Sequence, residues 1–307
     1  MEYSAHTVSC RKKCRYASSL DISIKSFDLN KEGKELKKLI KKTLNWLGYD
    51  LVRHVPILDS NLNLNENLGY DLEEEAVESI LVIKNHTMLS KRRLVTLYQQ
   101  VVYCEKSNIP GAFVECGVWK GGAVGLMALA NKKHSGRLRH IHLFDAFQEI
   151  CEPDAAVDGK RAVDEVKQFT GKADRVSGRL SPLKGIYDHM GGPGTLEECR
   201  KLLETTINYD EHYLHYHQGW FQDTLPRVHE TIGDIAILRL DGDWYASTKV
   251  CLAFLFDKVV VGGVVIIDDY GTYEGCKKAV DEYLAQHSLS VFMSNIDSTG
   301  RYFIKTA

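Results

Sequence analysis

The sequence predicts an α/β protein: a mostly parallel sheet with helices on both faces, preceded by N-terminal helices. Two observations predict this. From Gly111 onward, short apolar runs alternate with helical stretches, the texture of strand-helix-strand units. Several of these runs also end directly in glycine or aspartate, at the strand ends where an open parallel sheet collects its ligands.

Taken in order, residues 1 to about 30 mix Ser, Lys, Cys and Asp without a sustained period, which predicts a frayed arm. Leu36, Leu39, Ile40, Leu44 and Leu47 then recur at helical spacing among lysines, predicting an amphipathic surface or lid helix over Lys31–Leu47. The polar run Asn61–Asn67 reads as a loop, and Leu72–Ile83 resumes a helical pattern with its acidic residues first, where the helix dipole favours them. Lys91–Tyr103 gives another helix, ended by Asn108-Ile109-Pro110-Gly111. Residues 1–108 are thus expected to form a helical arm and lid, and residues 109–307 the catalytic domain.

Within the second part the predicted strands are Ala112–Cys116, His140–Phe144, Leu214–His217, Ile235–Leu240 and Val264–Ile267, with a weaker sixth at Ser290–Met293. Residues 151–212 form a long polar stretch between two strands, with one helix expected at Thr195–Thr206. Such an insertion is expected to shape a substrate mouth.

Composition narrows the class. With 307 residues, 44% apolar and 26% charged, the chain has room for one large core, and a net charge of −2 disfavours a nucleic-acid partner. The eight cysteines lack paired Cys-x-x-Cys spacing, and no second Cys/His pair accompanies Cys10 and Cys14, so free thiols in a reducing compartment are expected and a zinc site is not. The N-terminus lacks the apolar core of a signal peptide, and the run Val259–Ile267, broken by two glycines, falls short of the ~20 residues of a membrane helix. These features predict a cytoplasmic protein without a membrane partner.

Four motifs carry chemistry. Phe113-Val114-Glu115-Cys116-Gly117-Val118-Trp119-Lys120-Gly121-Gly122 runs from a strand through a glycine-rich turn into a helix. Gly117, Gly121 and Gly122 would let a ligand approach the backbone, and the helix N-terminus offers free N–H groups; taken alone, such a turn often serves packing. Asp145, at the end of the next apolar run, is placed to accept the ribose hydroxyls of a nucleoside cofactor. The glycines do not follow Gly-x-Gly-x-x-Gly, and Glu115 would repel a pyrophosphate but could hold the ammonium of a methionine moiety. A methyl donor therefore fits better than a dinucleotide.

The third motif is the set Asp241, Asp243, Asp268 and Asp269, at the ends of two strands that look buried. At least three carboxylates would meet at one sheet edge, and a hard dication such as magnesium would resolve their repulsion, although any one of them alone could be a helix cap or a solvated loop residue. The fourth is Gln218-Gly219-Trp220-Phe221, where the aromatic rings could stack on adenine or could equally be core.

At this point the residues resemble the macrocin-type O-methyltransferases, which modify deoxysugars of antibiotics. The resemblance lies in IPGAFVECGVWKGGA, FDAFQEICEPD, HQGWFQDTLP, LRLDGDWYASTK and GGVVIIDDYGTYEGCKKAVDEY, in this order over most of residues 109 to 283. It implies a class I methyltransferase (Rossmann-like) fold, S-adenosylmethionine as donor, and a magnesium ion (Mg2+) held by Asp241, Asp268 and Asp269. It also implies Asp243 as general base, Glu115, Gly117 and Trp119 at the methionine end, Asp145 at the ribose, Gly219, Trp220 and Phe221 at the adenine, and Met88 as a cap. The stretch Ala155–Gly194 departs from the family pattern, which leaves the acceptor least defined.

Methyl transfer is an in-line displacement, so the enzyme must align a hydroxyl and remove its proton. A dication beside that hydroxyl acidifies it, and Asp243 is placed to take the proton. The expected acceptor is a small hydroxylated molecule, a sugar or glycoside with a neighbouring hydroxyl. A catechol-like phenol, a cofactor-binding module without activity, and a nicotinamide oxidoreductase are the alternatives; a homo-oligomer is compatible with the resemblance.

Overall fold

The computed structural model describes residues 62–306 throughout and, before them, the backbone of three strands, β1 (Thr7–Lys12), β2 (Leu20–Ser23) and β3 (Tyr49–Arg53). These three form an antiparallel sheet in the order β2-β1-β3, within a compact unit of residues 1–57. Two of the strands fall where the sequence predicts a frayed arm. The alternation in Thr7–Lys12 is only six residues long, and its pairing partner in β3 lies far along the chain, so no local period announces it. The helix expected at Lys31–Leu47 lies outside the described residues.

The second compact unit runs from Leu58 to Ala307. Its first helices, α1 (Glu73–Ile83) and α2 (Lys91–Lys106), match the two predicted before the proline-glycine break. The sequence divides the chain at residue 108, whereas the packing divides it at Ile57 and Leu58. The reason is apolar contact: Ile80, Ile83, Leu94, Tyr98 and Val101 are buried in the same core as Phe113 and Met127.

Then come β4 (Ala112–Cys116), α3 (Gly122–His134), β5 (Ile141–Asp145), α4 (Gly159–Thr170), α5 (Leu196–Arg200, continued by a π-helical turn to Thr206), and β6 (Leu214–Gln218). After them follow α6 (Phe221–Ile232), β7 (Ile235–Leu240), α7 (Tyr245–Leu255), β8 (Val259–Ile267), α8 (Glu274–Gln286), β9 (Ser294–Asn295) and β10 (Arg301–Ile304). The seven-stranded sheet has the order β6-β5-β4-β7-β8-β10-β9. Strands β4 to β8 pair in parallel, whereas β10 runs antiparallel to both β8 and β9.

Both faces of the sheet are covered. Phe113, Ile141, Leu143, Ile237, Val264 and Ile266 pack under α1, α2 and α3. Their chain neighbours Val114, Phe144, Leu238, Val265 and Ile267 pack against α6, α7 and α8. A strand buried on both sides reads as a largely apolar run, which is why β4, β5, β7 and β8 are legible in the sequence; β6, Leu-His-Tyr-His-Gln at the edge, is half-buried. The strand predicted at Ser290–Met293 is absent; the sheet ends instead in the hairpin of β9 and β10. Helix α4 is missed because its buried stripe is only Ala162 and Val166 among charged residues.

The outer pair β5 and β6 carries a ladder of histidines on the face toward α6. His140 and His215 are hydrogen-bonded at 2.9 Å, His142 and His217 at 3.0 Å, and His217 stacks on Phe144. Burial, then the neighbouring imidazoles, pull His142 down to about 3 and His217 down to about 4. Both rings are therefore neutral in the folded chain, while the unfolded chain takes up protons as the pH falls below the ordinary value of 6.5. Stability contributed by these rings is lost from there down to the folded values. His142→Gln should flatten the fall of urea-unfolding stability between about pH 6 and 4, by up to about 1.4 kcal/mol per pH unit for one proton. Identical slopes for the two proteins would contradict this assignment.

Candidate active site

Strand ends β4, β7 and β8 meet at one edge of the sheet, and their pleat sets which side chains meet. Glu115 is the register partner of Arg239, and Arg239 that of Ile266. Glu115, Arg239 and Asp268 thus continue one face. Arg239 donates to Glu115, to Asp241 at 2.8 Å, and to Asp268 at 2.6 Å. Arg93, on α2, pairs with the other oxygen of Asp268 and donates to Asp297 at 2.7 Å.

Asp268, a metal ligand by the resemblance, is paired on both sides in this structure. Both of its oxygens face guanidinium groups. The carboxylate of the next residue, Asp269, joins those of Asp241 and Asp243, with one oxygen of each within 4.8 Å of the others. Asp243 sits at φ 56, a left-handed conformation rare for a residue with a side chain. Burial and the neighbouring carboxylates hold both Asp243 and Asp269 well above the ordinary range.

This trio fits a hard dication. Three carboxylates offer oxygen ligands, and Oδ2 of Asp269 is buried without a hydrogen-bond partner. Glu115, Asp241, Asp243, Asp268, Asp269 and Asp297, if ionised, set six negative charges against the two of Arg93 and Arg239, leaving four uncompensated.

The donor side is built on the turn after β4. Gly117 has φ 92, and a Cβ there would lie 1.8 Å from the carbonyl oxygen of Asp241, so only glycine fits. Asp145 accepts from the N–H groups of Val118 (2.6 Å), Trp119 (3.0 Å) and Phe147 (2.6 Å), and burial outweighs these bonds to raise its carboxyl. A cavity of about 360 Å³ opens here. Met88, Gly117, Trp119 and Asp145 line one part of it, Gly219, Trp220 and Phe221 another, and Asp241 and Asp243 its floor.

Other predicted residues lie outside the cavity wall. A Cβ on Gly121 would press on Sγ of Cys199 at 3.2 Å, and one on Gly122 on the carbonyl oxygen of His86 at 2.4 Å. These two glycines seat the start of α3 against neighbouring segments. Glu115 is 1% exposed, with Oε2 lacking any partner, and burial pushes its carboxyl up to about 8 despite Arg239.

Sequence reasoning missed several residues that shape the cavity. Trp244 donates to the carbonyl of Cys151 at 2.9 Å, and its ring meets Tyr273 edge-on, with centroids 4.8 Å apart. Tyr273 in turn donates to Glu165 at 2.5 Å. Phe169 and His189 stack face to face at 4.1 Å in the wall supplied by residues 151–212. The missed Arg239 had a signal, a charged residue inside the apolar run Ile235–Leu240; the aromatic residues had none, because their neighbours come from distant segments.

A doubly covered parallel sheet with an antiparallel end, a glycine turn after its first strand and an acidic residue after its second define a class I methyltransferase, whose methyl donor is S-adenosylmethionine. The family model of macrocin-O-methyltransferase (TylF) matches residues 62–177 and 198–305. The chain is similar to a demethyldecarbamoylnovobiocin O-methyltransferase of Streptomyces niveus, 36% identical over 223 residues, 72% of this chain and 76% of that protein. It is also similar to an 8-demethyl-8-(2,3-dimethoxy-alpha-L-rhamnosyl)-tetracenomycin-C 4'-O-methyltransferase of Streptomyces olivaceus, 32% identical over 274 residues, 88% of this chain and 92% of that one. The solved structure of the O-methyltransferase NovP, 36% identical, covers 72% of this chain and 83% of its own, with a TM-score of 0.56. The chain belongs to the macrocin-O-methyltransferase family, and it is an S-adenosylmethionine-dependent O-methyltransferase. Among the described residues, no helix is long and apolar enough to cross a membrane.

Proposed function

We propose that the enzyme methylates a hydroxyl of a neutral sugar carried on a glycoside, with a magnesium ion held by Asp241 and Asp269 and with Asp243 as general base. The observation that carries this reading is the convergence of Asp241, Asp243 and Asp269, the first two of which line the donor cavity. The tetracenomycin relative, by its printed name, methylates a rhamnosyl compound, which supports a sugar acceptor.

A bound dication supplies positive charge that ionises nearby carboxyls and acidifies an adjacent hydroxyl. The chain's own residues do the rest. Gly117, Trp119 and Asp145 seat the donor from one side, and Trp220 and Phe221 offer flat faces to its adenine. Glu115 lies behind the cavity wall, and its unpartnered Oε2 is the acceptor we assign to the ammonium. Trp244 and Tyr273 close the acceptor side against water, a packing that favours in-line approach of the hydroxyl. Asp243, held by its strained turn, takes the hydroxyl proton as the oxygen bonds to the methyl carbon and the carbon–sulfur bond breaks. Asp268 keeps Arg93 and Arg239 in place.

The charge of the cavity supports a neutral acceptor. Asp145, Glu149, Glu165, Asp241 and Asp243 line it, and among the described residues no lysine or arginine does. An acceptor bearing a diphosphate would bring two further negative charges into a low-dielectric, acidic site, at a cost of several kcal/mol. The six free, buried cysteines among the described residues suit the reducing cytoplasm.

Paired assays test the acceptor. A neutral glycoside with two adjacent sugar hydroxyls should be methylated at least about 100-fold more efficiently, in kcat/KM, than the same sugar as its nucleoside diphosphate. The reverse preference would overturn the reading.

A further inference from the structure

We propose that Arg239 is a positioning residue that sets the geometry of the donor pocket and of the cation site at once; the half that concerns the cation rests on the magnesium reading above. Its guanidinium is 2% exposed and touches carboxylates from three strand ends. Through one nitrogen it reaches both Oε1 of Glu115 and Oδ2 of Asp241, and through the other it reaches Oδ1 of Asp268.

The arrangement has consequences on both sides. Glu115 is held by one oxygen, which fixes its carboxylate plane and leaves the buried Oε2 unpaired. That lone oxygen is the acceptor that an incoming ammonium requires, since a buried carboxylate oxygen without a partner is costly. Asp241 is held by the same nitrogen, so its carboxylate is aimed before any cation arrives. A rigid planar fork can serve three carboxylates simultaneously, whereas a lysine ammonium is a point charge on a flexible stem. Compensating charge and fixed geometry are therefore separable by substitution.

The test is Arg239→Lys, which keeps the charge and removes the fork. Binding of Mn2+, followed by electron paramagnetic resonance without donor, and of S-adenosylhomocysteine, followed by calorimetry without metal, are read without turnover. Both should weaken by about 10- to 100-fold, the range for residues that orient ligands. Melting midpoints are taken alongside. Should the lysine protein not fold, Arg239→Met combined with Asp268→Asn removes the guanidinium together with one of its carboxylates, leaving less buried charge stranded, and the same two losses are expected.

Affinities within about twofold of the unaltered enzyme, with only a lowered melting midpoint, would reduce Arg239 to scaffolding and overturn the proposal. Weakening of one ligand alone would overturn the shared role. If the unaltered enzyme binds no Mn2+, it is the magnesium reading that fails, and the S-adenosylhomocysteine arm still decides the donor half.

Discussion

Asp243→Asn should bind S-adenosylhomocysteine as tightly as the unaltered enzyme and turn over at least about 100-fold more slowly, the scale of a lost general base. Asparagine keeps the size and the tolerance of the left-handed backbone at φ 56, so the loop need not rearrange. What it removes is the acceptor of the proton. Burial first and Asp241 next raise the carboxyl of Asp243. Turnover within a few-fold of normal in this variant would remove Asp243 from the role. A parallel loss of donor affinity would place it in binding instead.

Removing the divalent ion should have the other large effect. Exhaustive treatment with EDTA is expected to lower kcat by at least about 1,000-fold, as the loss of several kcal/mol of charge stabilisation implies. Added Mg2+ should restore it. Without the ion, the carboxyls of Asp241, Asp243 and Asp269 crowd one another, with oxygens within 4.8 Å. The unpaired Oδ2 of Asp269 shows that the protein itself supplies no full compensation. The chelated enzyme should still bind S-adenosylhomocysteine, because the hydrogen bonds that fix Asp145 come from Val118, Trp119 and Phe147 and not from the trio. Activity that survives chelation would contradict the metal reading.

The contrast between Asp268 and Asp269 shows how far sequence reaches. That acidic residues gather after Leu240 and Ile267 is legible, because both strands are buried runs whose ends must be adjacent in a parallel sheet. Which of the two neighbours joins Asp241 and Asp243 is not, since it depends on partners as distant as Arg93 on α2. The glycines divide in the same way. Gly117 is needed because Asp241, from another strand, comes within 1.8 Å of its would-be Cβ, whereas Gly121 and Gly122 answer to Cys199 and His86. Nothing local in the motif separates these uses. The central parallel strands are readable from largely apolar runs; the terminal hairpin of β9 and β10, short and half exposed, is not.

The account stands on a dication bound among Asp241, Asp243 and Asp269 beside the methyl donor. Anomalous diffraction from crystals grown with Mn2+ and S-adenosylhomocysteine tests it most directly. The account predicts a manganese peak in contact with carboxylate oxygens of Asp241 and Asp269, next to the sulfur of the bound product. A fully occupied donor site with no peak among these carboxylates, or a peak held elsewhere, would contradict it.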